Sequence, residues 1–308
     1  MPEQHIELDE RVDRVYRFGI PLVIQPPATH NDLDTLVSEL AADTEDLQER
    51  QISGLELSPE FARMLHREVI ETGRAIRHGA EPSTALHALI QARKPGIGDN
   101  DPPPPGSGSM DSLELVRRLH AAGADLDARM TRQVNFSNTR LNKLGATPLF
   151  LASMTADADL VRLLAELGAD PAIPNDDNST PLHAAAGLGT RSPGEDAGSE
   201  EEVLETVDLL LSLGLDIDAV DDDGETPMHG AAYKNLPAVV EQLAAKGADI
   251  AVWNKENAHG WTPLTIARGY RFGNFKPSAV TVEALSKVMT AAGVPIPPDQ
   301  GNLTKEIY

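Results

Sequence analysis

A four-residue motif that begins with Thr recurs along this chain, and its spacing constrains the fold more than any other feature. From Thr147 to Thr180 is 33 residues. The copies are Thr84-Ala85-Leu86-His87, Thr147-Pro148-Leu149-Phe150, Thr180-Pro181-Leu182-His183, Thr226-Pro227-Met228-His229 and Thr262-Pro263-Leu264-Thr265. A period of this length indicates a stack of similar units that share one continuous core.

A second motif closes each unit. Thr147 to Gly168 and Thr226 to Gly247 are both 21 residues. The copies are Gly123-Ala124-Asp125, Gly168-Ala169-Asp170, Gly214-Leu215-Asp216, Gly247-Ala248-Asp249 and a weaker Ala291-Ala292-Gly293. A Thr hydroxyl caps a helix start, Pro fits the first helical turn, and Gly ends a helix in a left-handed conformation. Each unit is therefore predicted to hold two helices.

Both motifs and their spacing resemble the T-P-L-H and G-A-D signatures of the ankyrin-repeat family. The resemblance implies an all-α fold, an ankyrin-repeat α-solenoid of stacked helix-turn-helix units with β-hairpin-like fingers. It also implies that the motif His bonds the backbone of an adjacent finger. The inserted turns and high Ala content look like ankyrin proteins of bacterial type. The structural repeat motif then comprises Thr147, Pro148, Thr180, Pro181, His183, Thr226, Pro227, His229, Thr262, Pro263, Gly168, Gly214 and Gly247.

We predict five repeats over residues 84–293, at 84–146, 147–179, 180–225, 226–261 and 262–293. Residues 1–83 are predicted to form a divergent helical N-terminal cap with one or two degenerate repeats. A separate small helical domain is the alternative. Residues 294–308 are predicted to be a C-terminal tail.

Several units are longer than the minimal one. Between their two motifs, the first, third and fifth units carry 18, 13 and 10 extra residues. Because all three insertions fall in the turn between the two helices of a unit, they are predicted to project from one edge of the stack. Neutral lengthening of exposed turns is the alternative, since loop closure entropy grows slowly with length.

The finger between Gly123 and Thr147 is 12 residues longer than expected and is basic in an acidic chain. A positive cluster with an aromatic side chain has the character of a binding anchor. Pairing of Arg132, Arg140 and Lys143 with Asp176 and Asp177 of the next finger is the competing explanation. The predicted partner-binding residues are Arg129, Arg132, Phe136, Asn138, Arg140 and Lys143, together with Trp253, Lys255 and Asn257 of the last finger.

Charge and composition narrow the partner class. The net charge of −22 opposes binding to nucleic acid and to anionic lipid. The chain has no Cys, no secretion signal and no apolar run long enough to span a membrane. We therefore expect a cytoplasmic monomer with a protein or peptide partner, or a periplasmic location if the chain is a fragment.

No catalytic or metal-binding motif stands out. The chain has nine His, but none lies in an HExxH or other paired spacing, and His87, His183 and His229 belong to the repeat motif. We predict no enzyme activity, no cofactor and no metal. The predicted function is a non-catalytic protein-protein interaction module that binds through its concave face and fingers. The alternatives are a regulatory or tethering segment of a larger multidomain protein and, less favoured, an enzyme whose pocket is built by the inserted turns.

Overall fold

The computed structural model describes residues 85–94, 111–121, 123–131, 139–273 and 276–299. These residues form helices joined by turns, and no strand occurs among them. The predicted cap at 1–83, Thr84, the first insertion and the end of the tail lie outside this part. The helices are α1 (Ala85–Arg93), α2 (Ser112–Ala121), α3 (Pro148–Met154), α4 (Ala158–Glu166), α5 (Pro181–Ala186), α6 (Glu200–Ser212), α7 (Pro227–Lys234), α8 (Pro237–Ala245), α9 (Ile250–Trp253), α10 (Pro263–Ala267) and α11 (Ala279–Ala291).

The helices pack in two rows. An inner row places α1, α3, α5, α7 and α10 each against the next, and an outer row does the same for α4, α6, α8 and α11. Within a unit, the inner helix also packs on the outer helix that follows it. This is the arrangement of stacked helix pairs with one shared core, so the predicted helical solenoid is confirmed.

The repeated motif starts each of these inner helices after α1. Thr147, Thr180, Thr226 and Thr262 have extended backbone and immediately precede α3, α5, α7 and α10. The Thr147 hydroxyl accepts a hydrogen bond from the Phe150 amide at 3.2 Å. Each following Pro occupies the first turn, where a helix has no bond to lose.

The core is built mainly from small and branched side chains, with Phe150, Tyr233 and Trp253 as buried aromatic residues among them. In the inner row, Ala152, Ala185 and Ala231 are fully buried, which allows neighbouring helix pairs to approach closely. In the outer row, the apolar side chains that face the core are buried; they include Leu160, Val161, Leu164, Val203, Val207 and Leu210. None of the helices in the described part of the chain is long and apolar enough to cross a membrane.

Each finger ends in the same hydrogen-bonded turn. One Asn or Asp lies five residues before the motif Thr, and its side-chain oxygen accepts backbone amides further along the turn. These residues are Asn142, Asn175, Asp221 and Asn257. Such a side chain mimics a backbone turn.

Backbone bonds join each finger to the next. The amides of Asp176, Asp222 and Ala258 donate to carbonyls of the preceding finger at 2.9, 3.0 and 2.8 Å. Since these three residues occupy the same position relative to the motif Thr, successive units are held in one register.

Two inserted turns pack on the body of the protein. The turn between α5 and α6 receives the buried Lys234 ammonium, which donates to the Ala197 carbonyl at 2.6 Å. It also meets the long finger, because the Arg140 amide donates to the Gly189 carbonyl at 2.8 Å. The turn between α10 and α11 places Gly273 so close that an added Cβ would lie 2.5 Å from the Arg191 carbonyl oxygen. The third and fifth units therefore touch across the fourth.

Gly230, inside α7, allows this close packing. An added Cβ would lie 2.9 Å from the Leu188 amide nitrogen and 3.1 Å from the Ala186 Cβ. That amide is itself bonded to the His183 carbonyl at 3.1 Å, so it cannot move aside freely.

We expect Gly230→Ala to lower the free energy of unfolding by about 1–2 kcal/mol in urea denaturation, because overpacking outweighs the gain in helix propensity. Ala245→Gly, at an exposed position of α8, is the matched control for propensity alone and should cost about 1 kcal/mol. A higher free energy of unfolding for Gly230→Ala than for the wild type would contradict the close packing around Gly230.

Candidate functional site

Three of the predicted partner-binding residues are exposed on the fingers. Arg129 and Arg140 lie at the two described ends of the long finger, and Lys255 lies in the last finger. Their side chains are therefore accessible to a partner. Arg132, Phe136 and Asn138 lie outside the described residues.

Three other predicted residues are buried, which corrects the prediction for them. Lys143 is 4% exposed and Trp253 is 1% exposed. The longer last finger folds into the short helix α9, and Trp253 is its last residue. The Trp253 indole enters the core. Asn257, 6% exposed, supplies the turn oxygen of its finger. Trp253 and Asn257 stabilise the fold, and none of the three side chains is exposed to a partner.

One pairing of the kind that the competing explanation proposed is present among the described residues, and it involves Arg129, which that explanation did not name. Arg129 pairs with Asp176 at 2.8 Å, and both side chains remain about half exposed. Asp177 accepts a hydrogen bond from the Asn142 amide at 2.9 Å. Arg140 instead places its guanidinium 3.7 Å from the centroid of the Phe272 ring.

A pocket of about 200 Å³ lies where the fingers, α7 and the two packed inserted turns meet. The fingers contribute most of its polar groups, including four carboxyls. The inserted turns contribute backbone and one aromatic ring. The lining residues are Arg140, Leu141, Asn142, Asp177, Ser179, Leu188, Gly189, Thr190, Asp221, Asp223, Glu225, Tyr233, His259 and Phe272.

Glu225 is the most buried carboxyl of the pocket, with 7% of its surface exposed. Its Oε1 accepts hydrogen bonds from the Tyr233 hydroxyl at 2.8 Å and the Asn257 amide at 2.5 Å. Burial raises the pKa of Glu225 to about 7, against the opposing effect of these two bonds. Burial, and then the Glu225 charge, raise the pKa of Tyr233, so its hydroxyl stays a donor.

Asp221 stands beside Glu225 and has a structural task. Its Oδ1 accepts the amides of Asp223 and Glu225, and its Oδ2 accepts the Ser179 hydroxyl at 3.0 Å. Burial raises the pKa of Asp221 to about 6 in spite of these bonds. Both buried carboxyls therefore titrate near neutral pH.

Aromatic rings form one side of the pocket mouth. The ring centroids of His259, Trp261 and Phe272 lie 4.8–5.0 Å from one another. Two of these residues belong to the last finger and Phe272 belongs to the inserted turn of the fifth unit. The Arg140 guanidinium lies over the Phe272 ring, so a cation already contacts this group of rings.

The motif histidines occupy equivalent places between fingers. The Nε2 atoms of His87, His183 and His229 lie 3.1, 3.1 and 3.2 Å from backbone carbonyl oxygens of the following finger. Burial lowers the pKa of each to about 4. Neutral imidazoles fixed in this way are structural, as the resemblance implied. No group of His, Asp or Glu in the described segments is arranged to hold a metal ion.

Sequence reasoning missed Asp223, Glu225, Tyr233 and Phe272 as parts of one pocket. Glu225 occupies the position before the motif Thr, where the first unit has Ala146 and the second Ser179. A carboxyl at a position where other units have a small residue was the sequence signal that could have predicted a buried acidic group. Phe272 carried none, because its place depends on the path of an inserted turn.

Comparison with protein families supports the architecture. A family model described as ankyrin repeats (3 copies) matches residues 108–192 and 197–275, together more than half of the chain. No curated protein matches the sequence.

Proposed function

Because the chain belongs to the ankyrin-repeat family, we propose that it is a non-catalytic module that binds a protein or peptide through its fingers and inner helices. Ankyrin repeats are generally protein-protein interaction modules. The observation that carries the proposal is the pocket between the fingers and the inserted turns, with exposed side chains of the fingers around it. Surfaces held on a rigid scaffold bind with little loss of conformational entropy.

Besides Arg140, which lines the pocket, two predicted contacts on the fingers are exposed, Arg129 and Lys255. Arg129 is held by Asp176, whereas the Lys255 side chain has no ion pair among the described residues. Exposed cations of this kind act on the encounter with a partner, so their loss weakens binding through a slower association rate.

A defined binding assay tests the proposal. A peptide selected from a random displayed library on the 308-residue chain should protect backbone amides of residues 139–145, 219–225 and 255–261 from hydrogen exchange. Replacing both Arg129 and Lys255 by Ala should weaken its affinity about tenfold, measured by isothermal titration calorimetry.

The matched control removes two cations from the outer helices, Lys246→Ala with Lys287→Ala. Both residues pair with acids on that surface, Asp208 and Glu241, and lie away from the pocket. This variant has the same net charge as the test variant and should bind the peptide normally. Equal weakening by both variants, or protection confined to the outer helices, would contradict the proposal.

The enzyme alternative gains one observation, the convergence of four carboxyls in the pocket. A catalytic carboxyl needs a free oxygen within reach of the reacting group. Both oxygens of Asp221 are held by the finger turn and Ser179, and Oε1 of Glu225 is held by Tyr233 and Asn257. Oε2 of Glu225 and the Asp223 carboxylate accept no hydrogen bond from the described residues, so these two groups are the ones left for a reacting group or a bound ligand.

A further inference from the structure

The pocket contains acceptor oxygens without donors. The Glu225 carboxyl accepts two hydrogen bonds, both at Oε1. No described residue donates to its Oε2. The carboxylate of Asp223, at the rim, likewise accepts no bond from the described part of the chain. A buried carboxyl that lacks a donor gains much from a charged partner.

Charge in the pocket is unbalanced. Four carboxyls, at Asp177, Asp221, Asp223 and Glu225, face one guanidinium, that of Arg140. The raised pKa of Glu225 reflects this setting, because burial penalises its charge and Asp221 and Asp223 repel it. A cation placed beside Oε2 would relieve both effects.

The aromatic side of the mouth suits a planar cation. The chain's own Arg140 guanidinium lies 3.7 Å from the Phe272 centroid, and the pocket of about 200 Å³ remains with Arg140 in place. Since a water molecule takes up about 30 Å³ in the liquid, this space holds the end of one side chain rather than a folded segment. Guanidinium groups stack on aromatic faces and donate in a fork to carboxylates.

We propose that this pocket receives one arginine side chain of the bound peptide, with its guanidinium between the Asp223 and Glu225 carboxyls and the rings of His259 and Phe272. This inference rests on the proposed function and names the chemistry that the site recognises. Arginine fits better than lysine because the acceptors and rings together present both a bidentate and a stacking surface.

The test uses a small probe and does not need the natural partner. N-acetyl-arginine methylamide is titrated into the full chain, and its neutral isostere, the citrulline derivative, serves as the matched control. The Trp261 ring contacts His259 and Phe272, which line the pocket, so its indole signal reports on the mouth by NMR. The chain has only one other Trp, the buried Trp253, which reports on unrelated changes.

The arginine probe should shift the Trp261 signal in a saturable way and lower the pKa of Glu225, while the citrulline probe leaves both unchanged. Asp223→Asn should weaken the probe about tenfold, as expected for loss of a charge-assisted bond. Asp222→Asn, which changes the same charge on the exposed neighbour, should leave affinity within about twofold. Glu225→Gln, which keeps an acceptor for Tyr233 and Asn257, should also weaken it.

No shift, equal shifts with citrulline, or equal effects of the two Asp variants would overturn the pocket assignment. Equal affinity for the lysine derivative would overturn the choice of arginine. These outcomes are separate from those of the proposed function. A selected peptide that protects the fingers but tolerates replacement of its arginines would refute this inference alone.

Discussion

Asp157→Ala is expected to lower the free energy of unfolding by about 3–5 kcal/mol, the largest single effect that the structure predicts. Asp157 is almost fully buried and binds Arg93 of α1 through both oxygens, at 2.6 and 3.0 Å. Its carboxylate also caps α4 by accepting the Leu160 amide at 3.2 Å. The substitution leaves the Arg93 charge half-buried and unpaired and removes a helix cap. Urea denaturation followed by circular dichroism measures the loss.

Asp157→Asn separates the two roles, because an amide oxygen can still cap α4 but carries no charge for Arg93. It should cost clearly less than Asp157→Ala. In a double-mutant cycle, Arg93→Ala combined with Asp157→Ala should cost less than the sum of the single changes. Additive costs would show that this pair does not couple the first unit to the second.

His183→Ala should destabilise the protein by about 3–4 kcal/mol, through a cavity and the loss of the hydrogen bonds of the ring. The fully buried ring accepts the Thr180 amide at Nδ1 and contacts the Glu225 carbonyl at Nε2, each at 3.1 Å. His183→Thr is the informative companion. In the last unit, Thr265 stands at the His position and accepts the Thr262 amide at 2.8 Å. The Thr variant should therefore keep the first bond, lose the second, and fall between wild type and Ala.

The cost of His183→Ala should depend on pH. Burial lowers the pKa of His183 to about 4, below its ordinary value of 6.5. Its stabilising contribution is therefore complete above pH 6.5 and is lost as pH falls through about 4. The gap in unfolding free energy between wild type and His183→Ala should shrink by about 3 kcal/mol from pH 7 to pH 4.

The whole-protein pH curve would not isolate this effect. Asp221 and Glu225 have raised pKa values, so their contributions favour the folded state at low pH and are lost as pH rises through about 6 and 7. Comparison with the variant cancels these carboxyls. A gap that stays constant across the titration would show that the ring is not held neutral.

The sequence predicted those parts of the fold that a repeated local chemistry encodes. Thr, Pro and Gly at fixed spacing determine where helices start and end, so the helical solenoid could be predicted from the motifs. The role of Asn257 was also accessible, since Asn142, Asn175 and Asp221 stand at the same distance before the motif Thr. The prediction that Asn257 binds a partner rested on its polarity alone and left out its position relative to the motif Thr.

The pocket could not be predicted in the same way. Phe272 and Arg140 lie far apart in the sequence and meet because the inserted turn of the fifth unit packs near the long finger. Inserted turns carry no periodic signal, so their path follows from packing against Gly230, Lys234 and the long finger. The length of an inserted turn can be counted in the sequence, but the surface on which it packs cannot be predicted from it.

Contact between Arg191 and Gly273 links layers that are not neighbours in the array. A plain repeat protein behaves as a one-dimensional chain in which each layer senses only the adjacent ones and the ends fray independently. Here the third unit loses a contact when the fifth unit unfolds, even while the fourth unit stays folded. Deletion of the fourth unit would separate Arg191 from Gly273, so we expect the third, fourth and fifth units to unfold together rather than one at a time.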